Sequence, residues 1–346
     1  MTYHPPKVHF ELRGDASATM FDGVISGNTF RGDVRDGAAV SILALVRNTE
    51  LRSAAFREED AHFKSGDVAL TGTFLVPHGA TDVPAVVMLH GSGPEERSAN
   101  RYLAEHLASH GVAALIYDKR GTGESSGDWK TSSFADLAAD AKAGVDWVRQ
   151  RGGVNSHVVG IFGHSQGAMI GPMIASRANN IAFFVASAAA GVPLEEVERY
   201  SVANALGVRH LSQADVREAK QYVRALVHTA YTGQGRARLD SLVRADSAKP
   251  WFEPPPASDN YYWTFSRSVA AFNPLRYWKR VDVPVLLTYG QRDERVPVAP
   301  SIAGIRNALR RAGSRACRLR VFSSADHSMR IASRAGESFR WPQNAD

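Results

Sequence analysis

The feature that most restricts the fold is a series of short apolar runs: PAVVML at 84–89, VAALIY at 112–117, VVGIF at 158–162, IAFFVAS at 181–187, VPVLLTY at 283–289 and CRLRVF at 317–322. Runs of this length, read as buried on both faces, predict strands of a parallel sheet. Amphipathic segments at 99–110, 134–150, 167–177 and 301–312 fall between them. In the second of these, Phe134, Leu137, Ala138, Ala141, Val145 and Val148 form one stripe, and Ser133 with Asp136 three residues on is a capping-box start. Gly313 stands where a left-handed helix cap is expected. Strand and helix alternate, which is the signature of an α/β layered fold.

Three stretches frame that alternation. Residues 54–76 read as a hairpin with its turn at Gly66 and Asp67. Residues 1–53 alternate in the manner of a small β-meander, a β-rich N-terminal extension. Residues 192–280 are mostly helical, with Ser212 and Asp215 capping a helix over 213–231. The expected organisation is therefore an extension at 1–53, an α/β core at 54–191 and 281–346, and a helical cap at 192–280.

Composition narrows the function classes. A length of 346 residues with 44% hydrophobic and 22% charged residues belongs to a globular chain with ample core. The single cysteine, Cys317, can build neither an intrachain disulfide nor a cysteine-rich zinc site. The longest apolar run, 181–192, is too short to span a bilayer, and the first residues lack the apolar stretch of a leader. A soluble protein is expected, either cytoplasmic or exported with its signal already removed. The net charge of +6 is a weak signal. The arginine-rich segment 306–320 has the spacing of a solvated face, and nothing in it resembles a nucleic-acid-binding motif.

The chemistry concentrates in one motif. G-x-S-x-G occurs twice, as GESSG at 123–127 and GHSQG at 163–167. The first runs on into a polar loop. The second follows the strand at 158–162 and opens an apolar helix, the strand, turn and helix that lift a serine oxygen above the carboxyl edge of a sheet. Ser165 is thus the candidate nucleophile. A serine hydroxyl needs a histidine base and an acid to hold that base's tautomer. Asp293, in GQRDERVP, and His327, in SSADHSM, each lie just past a predicted strand. Glu294 and Asp326 compete for the role of the acid, and a surface-loop role competes for His327. The strand at 84–89 runs into HGSG, so the backbone N–H groups of Ser92 and Gln166 are expected to form an oxyanion hole, with Gly93 as the substitute for Ser92. His90 reads as a loop anchor. His106 and His110 share a helix face, but Leu107 stands where a zinc-protease motif has glutamate, so they read as solvated. No metal or cofactor is expected.

LHGSGP, YDKRGTGES, GHSQG, GQRDERVP and ADHS, in this order, resemble the α/β-hydrolase superfamily, in particular bacterial serine carboxylesterases of the prolyl-oligopeptidase and dienelactone-hydrolase branches. The resemblance spans 54 to about 330. It implies an eight-stranded, mostly parallel sheet with an antiparallel edge and a cap after the sixth strand. It also implies that Asp118, Arg120, Gly121, Gly123 and Ser125 form a structural turn, with Ser125 as scaffolding. Two departures stand out. Members usually close with a helix after the histidine loop, where this chain has RIASRAGESFRWPQNAD, so that helix is expected to be either absent or trimmed, and residues 1–53 have no counterpart in the minimal hydrolase.

The function expected is hydrolysis of small carboxylic esters of short to medium acyl chain through an acyl-enzyme. The alternatives are a peptidase, a thioesterase or acyltransferase on the same fold, or a catalytically silent ligand-binding protein. Nine aromatics between Trp251 and Trp278 make the cap the expected roof of the acyl site, with Tyr261, Tyr262 and Trp263 as substrate-contacting candidates.

Overall fold

The computed structural model describes residues 2–4, 6–13, 18–36, 39–46, 55–207, 211–313 and 316–330. Residues 331–346, on which the expectation about a closing helix falls, lie outside them. The chain divides into two compact units, Met1–Ala55 and Phe56–Asp346.

The first unit is an antiparallel meander of β1 (Thr2–His4), β2 (Lys7–Arg13), β3 (Ala18–Ser26), β4 (Thr29–Asp36) and β5 (Ala39–Val46), paired in sequence order. Gly27, with φ +57°, supplies the left-handed residue that lets Ser26 pair with Thr29 across a two-residue turn. Phe10 and Phe21 stack at 4.3 Å across neighbouring strands.

Among the described residues the second unit carries eight strands: β6 (Phe56–Ser65), β7 (Val68–Pro77), β8 (Val83–Leu89), β9 (Ala113–Tyr117), β10 (Val154–His164), β11 (Phe184–Ser187), β12 (Val285–Gly290) and β13 (Cys317–Phe322). Their spatial order is β13-β12-β11-β10-β8-β9-β7-β6. Only β7 runs against its neighbours, and the remaining pairings are parallel. This is the expected sheet with its antiparallel edge.

In the central strands the continuous apolar runs have the expected cause, whereas the run at 317–322 does not: β13 stands at the sheet edge, intermediate or exposed along its length, with Val321 43% and Phe322 41% exposed. In β8 and β9, Val86, Met88, Ala114 and Ile116 pack with Ala104 and Ala108 of α1 (Arg101–Ser109). The alternate residues Ala85, Val87, Leu89 and Leu115 join Leu137, Ala141, Val145 and Val148 of α2 (Phe134–Val148) in the main core. Both faces are thus covered. The capping box of α2 is complete, with Ser133 Oγ accepting from Asp136 N and the Asp136 carboxylate accepting from Ser133 N. Beyond α9 (Val298–Arg311), Gly313 adopts φ +72°.

One expected helix is cut short. Instead of running over 167–177, α3 (Gln166–Ile170) gives way to a 3-10 turn over Gly171–Met173. Pro172 has no N–H with which to continue the helical ladder. Likewise β11 begins at Phe184 rather than at 181.

Between β11 and β12 the chain inserts α4 (Leu194–Ala205), α5 (Gln213–Thr232), α6 (Arg236–Asp246), α7 (Tyr261–Ser268) and α8 (Pro274–Trp278). Ser212 accepts from Asp215 N at the start of α5, and Gly233 ends that helix at φ +73°. Among the described residues no helix is long and apolar enough to cross a membrane.

The loop after β9 is tied to α2 by a buried ion pair. Arg120 Nε and Nη2 donate to the Asp140 carboxylate at 2.7 and 2.6 Å, and Asp140 is only 2% exposed. Removing one partner strands a buried charge. Asp140→Ala is expected to cost about 3–5 kcal/mol in denaturant unfolding. A variant as stable as the parent would remove this pair from the account of how the loop is held.

Candidate active site

Strand β10 turns into α3 through a single residue. Ser165 sits at φ +53° and ψ −114°, a conformation that L residues rarely occupy. Its glycine neighbours answer to close packing. A Cβ on Gly163 would overlap the main chain of Gly167, and one on Gly167 would lie 2.9 Å from the carbonyl oxygens of both Leu89 and His90. The start of α3 is thereby pressed against the end of β8.

The loops after β12 and β13 reach the same edge. His327, 6% exposed, receives the Ser165 hydroxyl at Nε2 over 3.0 Å when Nδ1 carries the ring proton. That Nδ1–H then faces the Asp293 carboxylate, 2.9 Å from Oδ2 and 3.0 Å from Oδ1. Asp293 is 1% exposed, and its Oδ1 also accepts from the N–H groups of Arg295 and Val296 at 2.8 and 2.7 Å. The two competing acids lie elsewhere. Glu294 accepts from the main-chain N–H of His327 at 3.3 Å, and Asp326 accepts from Arg330 N within its own turn. His164 packs beside His327 with ring centroids 5.0 Å apart. Burial, with the neighbouring His327, lowers its pKa to about 4 and keeps it neutral.

Ser92 and Gln166 line the same cleft as Ser165 and His327, and Gly93 joins them in an adjoining cavity. The loop carrying Ser92 is held from below, where the Glu95 carboxylate accepts from Gly91 N at 2.6 Å. His90 faces the core. Its Nε2–H donates to Tyr117 O, and burial lowers its pKa to about 4. Ser125 Oγ donates to Asp118 O at 2.7 Å and accepts from Thr71 N at 3.0 Å, a scaffold position away from the cleft.

The inserted helices meet the loop after β12 directly: Tyr200 of α4 donates to Asp293 O at 2.9 Å, and Asn204 to Glu294 O at 2.7 Å. The three aromatic candidates separate. Tyr261 lines the cavity beside Ser92 and Gln166, edge-on to Trp129 at 5.1 Å. Trp263 is 5% exposed and donates its indole N–H to Ala257 O at 2.8 Å, inside the cap. Tyr262 lies in the same cap interior, its ring 5.4 Å from that of Trp263. One turn after Tyr261 on the same helix face, Phe265 lines the cleft itself, and it was legible only as one more aromatic. Phe134, read as part of the apolar stripe of its helix, also lines it, as does Met169.

Glu198 and Arg295 add charge at the cleft, and burial pushes the Glu198 carboxyl up. The cleft at Ser165 measures about 120 Å³. A larger groove of about 990 Å³ runs between residues 128–135 and the cap helices α7 and α8, and Ser165 and His327 are not among its walls. Among the described residues no group of three or more His, Cys, Asp or Glu is placed to hold a metal.

Residues 81–331 match the Hydrolase_4 family, described as serine aminopeptidase, S33. The chain is 27% identical over 236 residues to Esterase EstD of Thermotoga maritima, a match covering 66% of this chain and 50% of EstD. It is 30% identical over 124 residues to the quorum-quenching protein AidA of Acinetobacter baumannii, covering 35% of this chain and 40% of AidA. The matches thus span half or less of these curated relatives. Among solved structures, the esterase Pf2001 of Pyrococcus furiosus superposes with a TM-score of 0.52 at 22% identity, over 82% of this chain and 88% of that one. An α/β-hydrolase from Penicillium, GrgF, superposes with a TM-score of 0.53 at 16% identity, covering 78% of this chain and 91% of GrgF.

The glycine at the entrance to the turn yields a direct test. Gly163→Ala forces a Cβ into the Gly167 main chain and is expected to cost about 1–3 kcal/mol, the usual range for overpacking. Urea unfolding measures it. A stability equal to the parent's would mean that the turn relaxes freely and does not dictate the residue.

Proposed function

From the premise that this chain belongs to the Hydrolase_4 family, on an α/β-hydrolase fold, we propose that it hydrolyses carboxylic esters through an acyl-enzyme on Ser165. The observation that carries this reading is the unbroken hydrogen-bond chain from Ser165 through His327 to Asp293. Ser165 Oγ attacks the ester carbonyl while His327 Nε2 takes its proton. The N–H groups of Ser92 and Gln166 receive the oxyanion, with Gly93 as the substitute for Ser92. Collapse of the tetrahedral intermediate expels the alcohol, protonated by His327. Water, activated by the same nitrogen, then releases the acid. Asp293 holds the imidazole in the tautomer that keeps Nε2 free and stabilises the imidazolium once it forms.

The size of the cleft bears on substrate. A volume of about 120 Å³ walled by Phe134, Met169 and Phe265 favours short to medium acyl chains. The names of EstD and Pf2001 support an ester substrate, whereas the family description supports an aminopeptidase. Amide cleavage is therefore the second reading, with thioester or acyl-transfer chemistry sharing the same intermediate. A silent binder would retain the fold without turnover.

A panel of p-nitrophenyl esters of graded acyl length, run beside aminoacyl p-nitroanilides, separates these readings. Ester turnover that falls with chain length is expected. Preferential cleavage of the anilides would transfer the function to the second reading, and no turnover of either would favour the binder. Within the ester reading, Ser165→Ala should lower kcat by at least roughly 10³-fold and Asp293→Asn by roughly 10⁴-fold, while Ser125→Ala leaves it near the parent's. Tyr261→Ala or Phe265→Ala should shift relative kcat/KM between chain lengths by about 1–3 kcal/mol. Trp263→Ala should instead lower stability without changing the preference.

A further inference from the structure

Lys119, in the loop after β9, takes no part in the Ser165, His327 and Asp293 chain, yet it is 2% exposed and fully engaged. Its ammonium donates to Gly91 O at 2.7 Å, Gly93 O at 2.9 Å and the side-chain oxygen of Gln166 at 3.0 Å. An ammonium has three N–H groups and no acceptor, so these three bonds use all of them. Two anchor the loop after β8, and the third reaches the first residue of α3.

The Gly91 carbonyl and the Ser92 N–H belong to one peptide unit. In a planar trans peptide the two point in opposite directions. Drawing the Gly91 oxygen toward Lys119 therefore turns the Ser92 N–H away from the lysine, and Ser92 is one of the residues lining the cleft at Ser165. We propose that Lys119 is a positioning residue that clamps the two arms of the oxyanion hole, holding Ser92 through the Gly91 carbonyl and Gln166 through its side chain. This inference rests on the ester-hydrolase reading above.

The surroundings fit that role. Glu95, from the loop after β8, accepts from Gly91 N at 2.6 Å while its main-chain oxygen accepts from Lys119 N at 3.1 Å. His90, on the same loop, is buried and neutral. The uncharged Gln166 and the face of Trp129, 5.9 Å from the ammonium, stand on other sides, and Tyr261, edge-on to Trp129, lines the same cavity with its pKa pushed up to about 12 by burial, so it stays neutral over the range considered. Burial lowers the Lys119 pKa to about 8, against the opposing pull of Glu95. Below that value three donors meet three oxygens. Above it the neutral amine keeps two, and its lone pair faces the third oxygen. The clamp therefore weakens as pH rises.

The test measures kcat and KM for p-nitrophenyl butyrate from about pH 6 to about pH 10, corrected for spontaneous hydrolysis, in the parent and in Lys119→Met. The parent's kcat should fall above about pH 8. In Lys119→Met, kcat at neutral pH should be roughly 10- to 100-fold lower with KM within about threefold, because an oxyanion donor acts on the transition state rather than on substrate binding. Its alkaline fall should be absent. A folded variant with the parent's kcat, or with the same alkaline fall, overturns the clamp while the parent's turnover leaves the ester reading standing. If Lys119→Met does not fold, the parent's own profile decides, and a kcat that stays level through about pH 9.5 overturns the clamp. A parent that turns over no ester overturns both.

Discussion

The site depends on one tight junction, where β10 passes into α3 through Ser165 with the end of β8 packed against the start of the helix. No side chain fits at Gly163 or Gly167, so both positions are glycine and the helix begins within contact of the loop after β8. Holding Ser165 at φ +53° costs of order 1–3 kcal/mol, which the surrounding sheet must offset. In return the serine oxygen reaches His327, and Gln166, the first residue of α3, lines the cleft together with Ser92. Because β10, β12 and β13 run parallel, the loops bearing Asp293 and His327 leave the sheet at this same edge.

Two further contacts turn an edge into a site. Lys119 bridges the loop after β8 and α3 from beneath, and Arg120, the next residue, fixes its loop to α2 through Asp140. From above, α4 of the cap bonds the main chain at Asp293 and Glu294. Asp293 is thus held by the inserted helix α4 as well as by its own turn, which links the position of α4 to the geometry of the His327 imidazole.

Much of this was legible in the sequence, for identifiable reasons. Strands buried on both faces leave unbroken apolar runs, so the sheet could be read from segments such as 84–89 and 112–117. Capping residues such as Ser133 and Ser212 mark helix starts because their hydroxyls must satisfy free N–H groups. The helix expected through 177 was misread because an apolar stretch masked Pro172. In the site, Ser165, Asp293 and His327 could be picked out because each follows a strand at the same edge. The cap resisted reading. Tyr261, Tyr262 and Trp263 are adjacent in sequence, but successive helical residues point about 100° apart, so Tyr261 and Phe265 share the face toward the cleft while Trp263 turns inward. Lys119 gave no signal at all, since a lysine in a charged loop is ordinarily solvated and only the fold shows three oxygens converging on it.

Whether Ser165 is a nucleophile activated by His327 is read out by treating the folded protein with a fluorophosphonate and mapping the adduct by peptide mass spectrometry. A single adduct is expected on the peptide containing Ser165, formed rapidly in the parent and strongly slowed in His327→Ala. An adduct on Ser125 instead, or no adduct in protein shown to be folded, would contradict it.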